Sequence, residues 1–101
     1  MVVVIFRSRL RGDPGPEYDA TAARMVELAG TMPGFVSFAH YEGADGERVS
    51  LIEFESDEAV QAWRAHPEHR AAQRRGRGEW YAWFRLTTCA PLRETTFTRE
   101  A

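Results

Sequence analysis

The sequence contains no lysine, and all thirteen of its basic residues are arginine. That absence excludes Schiff-base chemistry, a phosphate-binding loop that ends in lysine, and covalent attachment of pyridoxal phosphate. A single cysteine, Cys89, leaves no possibility of an intrachain disulfide. Histidine is scarce: beyond His66 and His69 there is only His40. The run His66-Pro67-Glu68-His69 matches neither H-E-x-x-H nor H-x-x-E-H, so no metal site is expected. The apolar run from Met1 to Phe6 is too short for a signal peptide or a membrane span. The expected location is therefore the cytoplasm, with no membrane partner. A formal charge of −2 supplies no global field for nucleic acid, and none is expected as a partner. Gly76-Arg77-Gly78 precedes a strand and lacks the third glycine of a dinucleotide fingerprint.

What is present is enough for one core. The chain has 101 residues, of which 44% are apolar and 12% aromatic, which argues for a single folded domain rather than disorder. Val2 to Arg9 reads as a β-branched strand closed by Gly12-Asp13-Pro14-Gly15. Pro16 suits a helix start, and Tyr18, Ala22, Met25, Ala29 and Met32 recur at helical spacing until Met32-Pro33-Gly34. Phe35 to Glu42 and Arg48 to Glu55 form a hairpin about Asp45-Gly46, with Ser50, Ile52 and Phe54 sharing one face of the second strand. Ser56 is placed to cap a second helix carrying Val60 and Trp63, which breaks and restarts at His66-Pro67. His66 is expected to cap the restart, and Gly76 and Gly78 to close it. Trp80 to Arg93 reads as a long last strand, with Trp80, Ala82, Phe84 and Leu86 on one face and Tyr81, Trp83, Arg85 and Thr87 on the other. The tail, residues 94–101, is polar.

The order βαββαβ predicts an α+β, ferredoxin-like domain over residues 1–93, with an antiparallel sheet and both helices on one side. The other side of the sheet should then be polar. Instead the first strand carries large apolar residues at both parities, Val3 and Ile5 as well as Val2, Val4 and Phe6. Something must cover the second face, and another copy of the chain is the simplest candidate, giving a homodimer.

The stretch from Ala62-Trp63 through His66-Pro67-Glu68-His69 to Gln73, continued by Gly76-Arg77 and Trp80-Tyr81, resembles the antibiotic biosynthesis monooxygenase family. The first strand, the Met32-Pro33-Gly34-Phe35 turn and Glu53-Phe54-Glu55-Ser56 fit the same pattern. The resemblance implies a dimeric α/β barrel, in which two ferredoxin-like protomers pack sheet against sheet. It also implies a pocket between the sheet and the helices of each protomer. Members include cofactor-independent oxygenases of aromatic polyketides, quinol oxygenases and haem-degrading enzymes. Haem-degrading members place an Asn on the first strand, a Trp on the second helix and an iron-ligating His ten residues later. Here those positions are Ser8, Trp63 and Gln73, so neither haem nor any other cofactor is expected. Polyketide oxygenases place an Asn four residues before that Trp and a Tyr six after it, where this chain has Ala59 and His69.

His69 is the candidate catalytic base, able to take a proton from a phenol or hydroquinone so that the anion reduces O₂. Its alternative use is a bond to a backbone carbonyl. Gln73 shares its helix face, and with Ser8 it is a candidate substrate-binding residue. Trp63 either stacks on an aromatic substrate or anchors the core. Tyr81 and Trp83 either line the pocket or fill the dimer interface. The expected activity is a monooxygenase acting on a small aromatic molecule. The alternative is a non-catalytic dimer that binds a small apolar ligand.

Overall fold

The computed structural model of the protein describes residues 1–100. Seven elements follow in the order β1 (Val2–Leu10), α1 (Pro16–Ala29), β2 (Phe35–Glu42), β3 (Arg48–Phe54), α2 (Asp57–Ala65), α3 (Pro67–Arg75) and β4 (Tyr81–Cys89). The four strands form one antiparallel sheet in the order β2-β3-β1-β4, which is the ferredoxin-like arrangement expected from the sequence. No helix among the described residues is long and apolar enough to cross a membrane.

Local chemistry accounts for the helix boundaries. Pro16 opens α1 at a position that needs no donor. Ser56 caps α2, its hydroxyl oxygen accepting from the Ala59 N–H at 3.2 Å. His66 caps α3 in the same manner, its Nδ1 accepting from the Glu68 N–H at 3.1 Å. Gly34 turns the chain from α1 into β2 with φ 85, and a Cβ there would come within 2.7 Å of the Ala59 Cβ. Only glycine therefore lets the start of α2 pack against this turn.

Two expectations need correction at the last strand. The helix does not close at Gly76 and Gly78; a single π-helical turn, Gly76–Trp80, carries it on. Trp80 thus belongs to that turn, where its ring is buried, and not to a face of β4. The strand also ends at Cys89 rather than Arg93, because Cys89 pairs with Val3 at the end of β1 and Pro91 can donate nothing further.

Strand register orders the helix-covered face into rows of changing polarity. Phe35, Phe54 and Val2 form the first row, and Phe38, Ile52 and Val4 the second. His40, Ser50, Phe6 and Leu86 follow, and then Glu42, Arg48, Ser8 and Phe84. The core sits over the first two rows, where Trp63, Val60, Leu28 and Ala29 close on Val4 and on Phe54, which is wholly buried. The opposite face carries Val3, Ile5, Val49 and Leu51 at its centre, and no helix lies on it. Exposed ion pairs Arg24–Glu68 and Arg75–Glu17 join α1 to α3.

Candidate functional site

A cavity of about 380 Å³ lies between the helices and the graded face of the sheet. Pockets that enclose small ligands run from roughly 300 to 1,000 Å³. Phe6 meets Tyr81 edge-on at 5.5 Å and Phe84 at 5.6 Å, and Tyr18 meets Trp80 at 5.3 Å, so much of the wall is aromatic.

His69 owes its position to Pro67. An uninterrupted helix would send the N–H of residue 67 to the carbonyl of Trp63, but proline has no N–H. That carbonyl instead accepts from the His66 N–H at 3.1 Å and from His69 Nδ1 at 3.1 Å. A carbonyl only accepts, so Nδ1 carries the proton and Nε2 keeps its lone pair. The imidazole also lies flat on the Trp63 indole, with centroids 4.0 Å apart and planes 14° apart. Burial lowers the His69 pKa below its ordinary 6.5, helped by Arg64 and His66 and opposed by the bond to Trp63. The ring is thus a neutral, oriented base at the cavity wall.

Trp63 is buried in the core and also borders the cavity. Its stacking partner within the chain is His69. Gln73 stands one turn beyond His69 on the same wall. Ser8 lies in the floor, only 2% exposed. Tyr81 lines the cavity, its hydroxyl 3.3 Å from that of Tyr18. Burial, and then the bond to Tyr18, push the Tyr81 pKa upward and keep it a protonated phenol.

Trp83 is the residue the structure removes from this set. It is 39% exposed on the opposite face of the sheet. Strand alternation grouped Tyr81 with Trp83, but Leu10 pairs with Tyr81 while Arg9 pairs with Trp83. Ala82 is the extra residue of a bulge, and the bulge turns Tyr81 onto the cavity face with Phe84.

Sequence reasoning missed the polar end. Arg48 borders the cavity beside Ser8, with its guanidinium 5.7 Å from the centre of the Tyr18 ring. One Nη donates to Glu42 at 2.8 Å, whereas the buried Nε finds no acceptor among the described residues. Leaving such a donor unmet costs about 1–3 kcal/mol. His40 Nδ1 lies 3.0 Å from the Ser50 hydroxyl, and burial followed by the charge of Arg48 lowers its pKa. Parity with Ser50, Ile52 and Phe54 was a partial signal, and the pairing of Arg48 with Ser8 completes it. Arg48, Arg64 and Arg77 are the charged residues of the lining, which includes no carboxylate.

Among the described residues no three His, Cys, Asp or Glu side chains gather as a metal site. Haem is a poor fit, because the ligand position of the haem-degrading pattern holds the weakly coordinating amide of Gln73. Haemin titration is expected to show weak binding and no ascorbate-driven bleaching of the haem band. Tight binding followed by ring cleavage would reassign His69 or His66 as an iron ligand.

The fold and this cavity together define a ferredoxin-like protein with a cavity between sheet and helices. The family model for antibiotic biosynthesis monooxygenase matches residues 1–75, and the chain belongs to that family. It is 35% identical over 94 residues to YqjZ of Bacillus subtilis strain 168, itself uncharacterized, covering 93% of this chain and 82% of that one. The structure of Rv0793 from Mycobacterium tuberculosis superposes with a TM-score of 0.82 at 27% identity, covering 94% of this chain and 98% of Rv0793. SnoaB, a cofactor-independent oxygenase from Streptomyces nogalater, superposes with a TM-score of 0.78 over 93% of this chain and 94% of its own. At 20% identity that likeness speaks for the fold alone.

Proposed function

We propose that the protein is a cofactor-independent monooxygenase of a small aromatic or quinol substrate, working as a homodimer. The observation that carries this reading is His69, whose Nδ1 is held by the Trp63 carbonyl so that Nε2 is the basic nitrogen of a cavity-lining ring. Nε2 takes a proton from a phenol or from the activated CH₂ of an anthrone-type substrate. The resulting anion gives its electrons to O₂ and a C–O bond forms. The hydroperoxide then loses water, so that CH₂ and O₂ become C=O and H₂O. Gln73 and the Tyr81 hydroxyl are the donors available to the developing oxyanion. Trp63 acts as a positioning residue, because His69 rests on its ring.

Oxygen uptake with a panel of hydroquinones and anthrones, in metal-free buffer, tests this reading. Consumption of O₂ in step with quinone formation supports it. A rate no faster than buffer alone sinks it. The mutual packing of Trp63 and His69 then favours the second reading, a non-catalytic dimer that binds an apolar ligand.

Support for the dimer comes from the uncovered sheet face, where Val3, Ile5, Val49 and Leu51 form an apolar centre. Trp83 stands on that face and is assigned to the interface rather than the pocket. Sedimentation at micromolar concentration should give twice the 11.5 kDa chain mass. A stable monomer would contradict the assembly.

A further inference from the structure

We propose that the cavity selects aromatic ligands that carry an anionic group, and that Arg48 is the residue that receives it. The inference rests on the reading of the cavity as an aromatic-ligand site and adds the chemical class that the site takes.

Three observations support it. The charged side chains of the lining are all arginines, although the whole chain is net negative at −2. No carboxylate lines the cavity, so within it an anion meets arginines and neutral dipoles, with Glu42 at the rim beside Arg48. Arg48 is also incompletely used. Glu42, 58% exposed at the rim, takes one Nη, and the buried Nε has no acceptor within the chain. A ligand carboxylate or phenolate would supply one, forming a charge-assisted bond in surroundings that screen it poorly.

The third observation is the order of the rows. Arg48 and Phe54 lie six residues apart on β3, roughly 20 Å at about 3.3 Å per residue. The floor changes between them from the row of Arg48, Ser8 and the rim residue Glu42 to a wholly apolar row. A ligand with an acid at one end and fused rings at the other matches that gradient in only one orientation. Glu42 competes for one Nη from the exposed rim, whereas His40 is held towards its neutral form by burial and by Arg48, and Tyr81 remains a phenol. His69 stacks on Trp63, which packs with Phe54 and Val4, so it stands towards the apolar end. Anchoring the acid at Arg48 therefore presents the far rings, not the acid-bearing ring, to the base.

Quenching of the tryptophan fluorescence provides the test, since Trp63 and Trp80 both border the cavity. The probes are 2-naphthoate and its neutral analogue 2-naphthalenemethanol. The wild-type protein should bind the anion at least roughly tenfold more tightly, as a bond between charged partners would give. Arg48→Met should abolish this preference and leave the neutral probe's affinity within about threefold, while Arg48→Lys should retain part of it. Equal affinities in the wild type, a comparison that needs no variant to fold, would overturn the proposal and leave the aromatic site standing. A preference that survives Arg48→Met would overturn Arg48 as the anchor. Binding of neither probe would overturn both this inference and the reading beneath it.

Discussion

Replacing His69 with alanine is expected to lower turnover by roughly 10²-fold or more, the usual contribution of a positioned general base. The sedimentation behaviour should not change, since His69 is far from the uncovered sheet face. His69→Gln separates chemistry from support: its amide can still donate towards the Trp63 carbonyl, yet it cannot take a proton, so stability should recover and turnover should not. The pH profile adds a signature that a structural residue would not give. Only neutral imidazole is a base, and burial lowers the His69 pKa from the ordinary 6.5. The acid limb of kcat/KM should therefore fall below pH 6.5 rather than at it. Stability follows the same sign. The unfolded chain binds this proton more readily, so the contribution of His69 is complete above about pH 6.5 and declines as pH falls through the lowered pKa. Undiminished turnover in His69→Ala would remove the base from the mechanism.

Trp63→Ala should have the largest effect on stability. The indole is 8% exposed and packs with Val4, Leu28, Ala29, Phe54 and Val60. Truncating a buried tryptophan costs about 3–5 kcal/mol, a large share of the roughly 5–15 kcal/mol that holds a domain folded. The melting temperature should fall by more than about 10 °C. Activity should be lost as well, because the platform beneath His69 disappears. Trp63→Phe, which keeps an aromatic surface, should recover part of both. A melting temperature within a degree or two of the parent would show that the indole is not the anchor described.

Most of the fold was legible because it is written in local signals. Pro16, Ser56 and His66 act where they stand, and the alternation of Ser50, Ile52 and Phe54 names the inner face of β3 without tertiary information. The end of the chain was less legible for a specific reason. A bulge is one unpaired residue, and Ala82 looks like any other alanine until Leu10 is seen opposite Tyr81. Parity alone therefore put Tyr81 with Trp83. The π turn is equally silent, because Gly76 and Gly78 read as a stop whether the chain leaves the helix or takes an extra residue into its last turn. Gly76 is required by packing, since a Cβ there would lie 2.8 Å from the Tyr81 ring. Among the site residues, Trp63, His69 and Gln73 stood out through the resemblance to the family pattern, and His69 and Gln73 also through their four-residue spacing. Arg48 did not, because an arginine at the start of a strand usually faces water; its parity with Ser50 pointed inward, and the pairing with Ser8 places it in the floor.

The position of β1 between β3 and β4 has a consequence for how the protein is made. One edge of β1 can pair with β3 early, but the other must wait for β4: Val3 pairs with Cys89, 86 positions later. On the ribosome, β2, β3 and the helices can form early, since their contacts are nearer in sequence. The wall that Tyr81, Phe84 and Leu86 provide is added last, because β4 is the final element of the fold. A chain shortened before β4 would keep Trp63 and His69 yet have no enclosed cavity for them to border. A cavity ligand should therefore stabilise, by mass action, only those molecules in which β4 has joined the sheet.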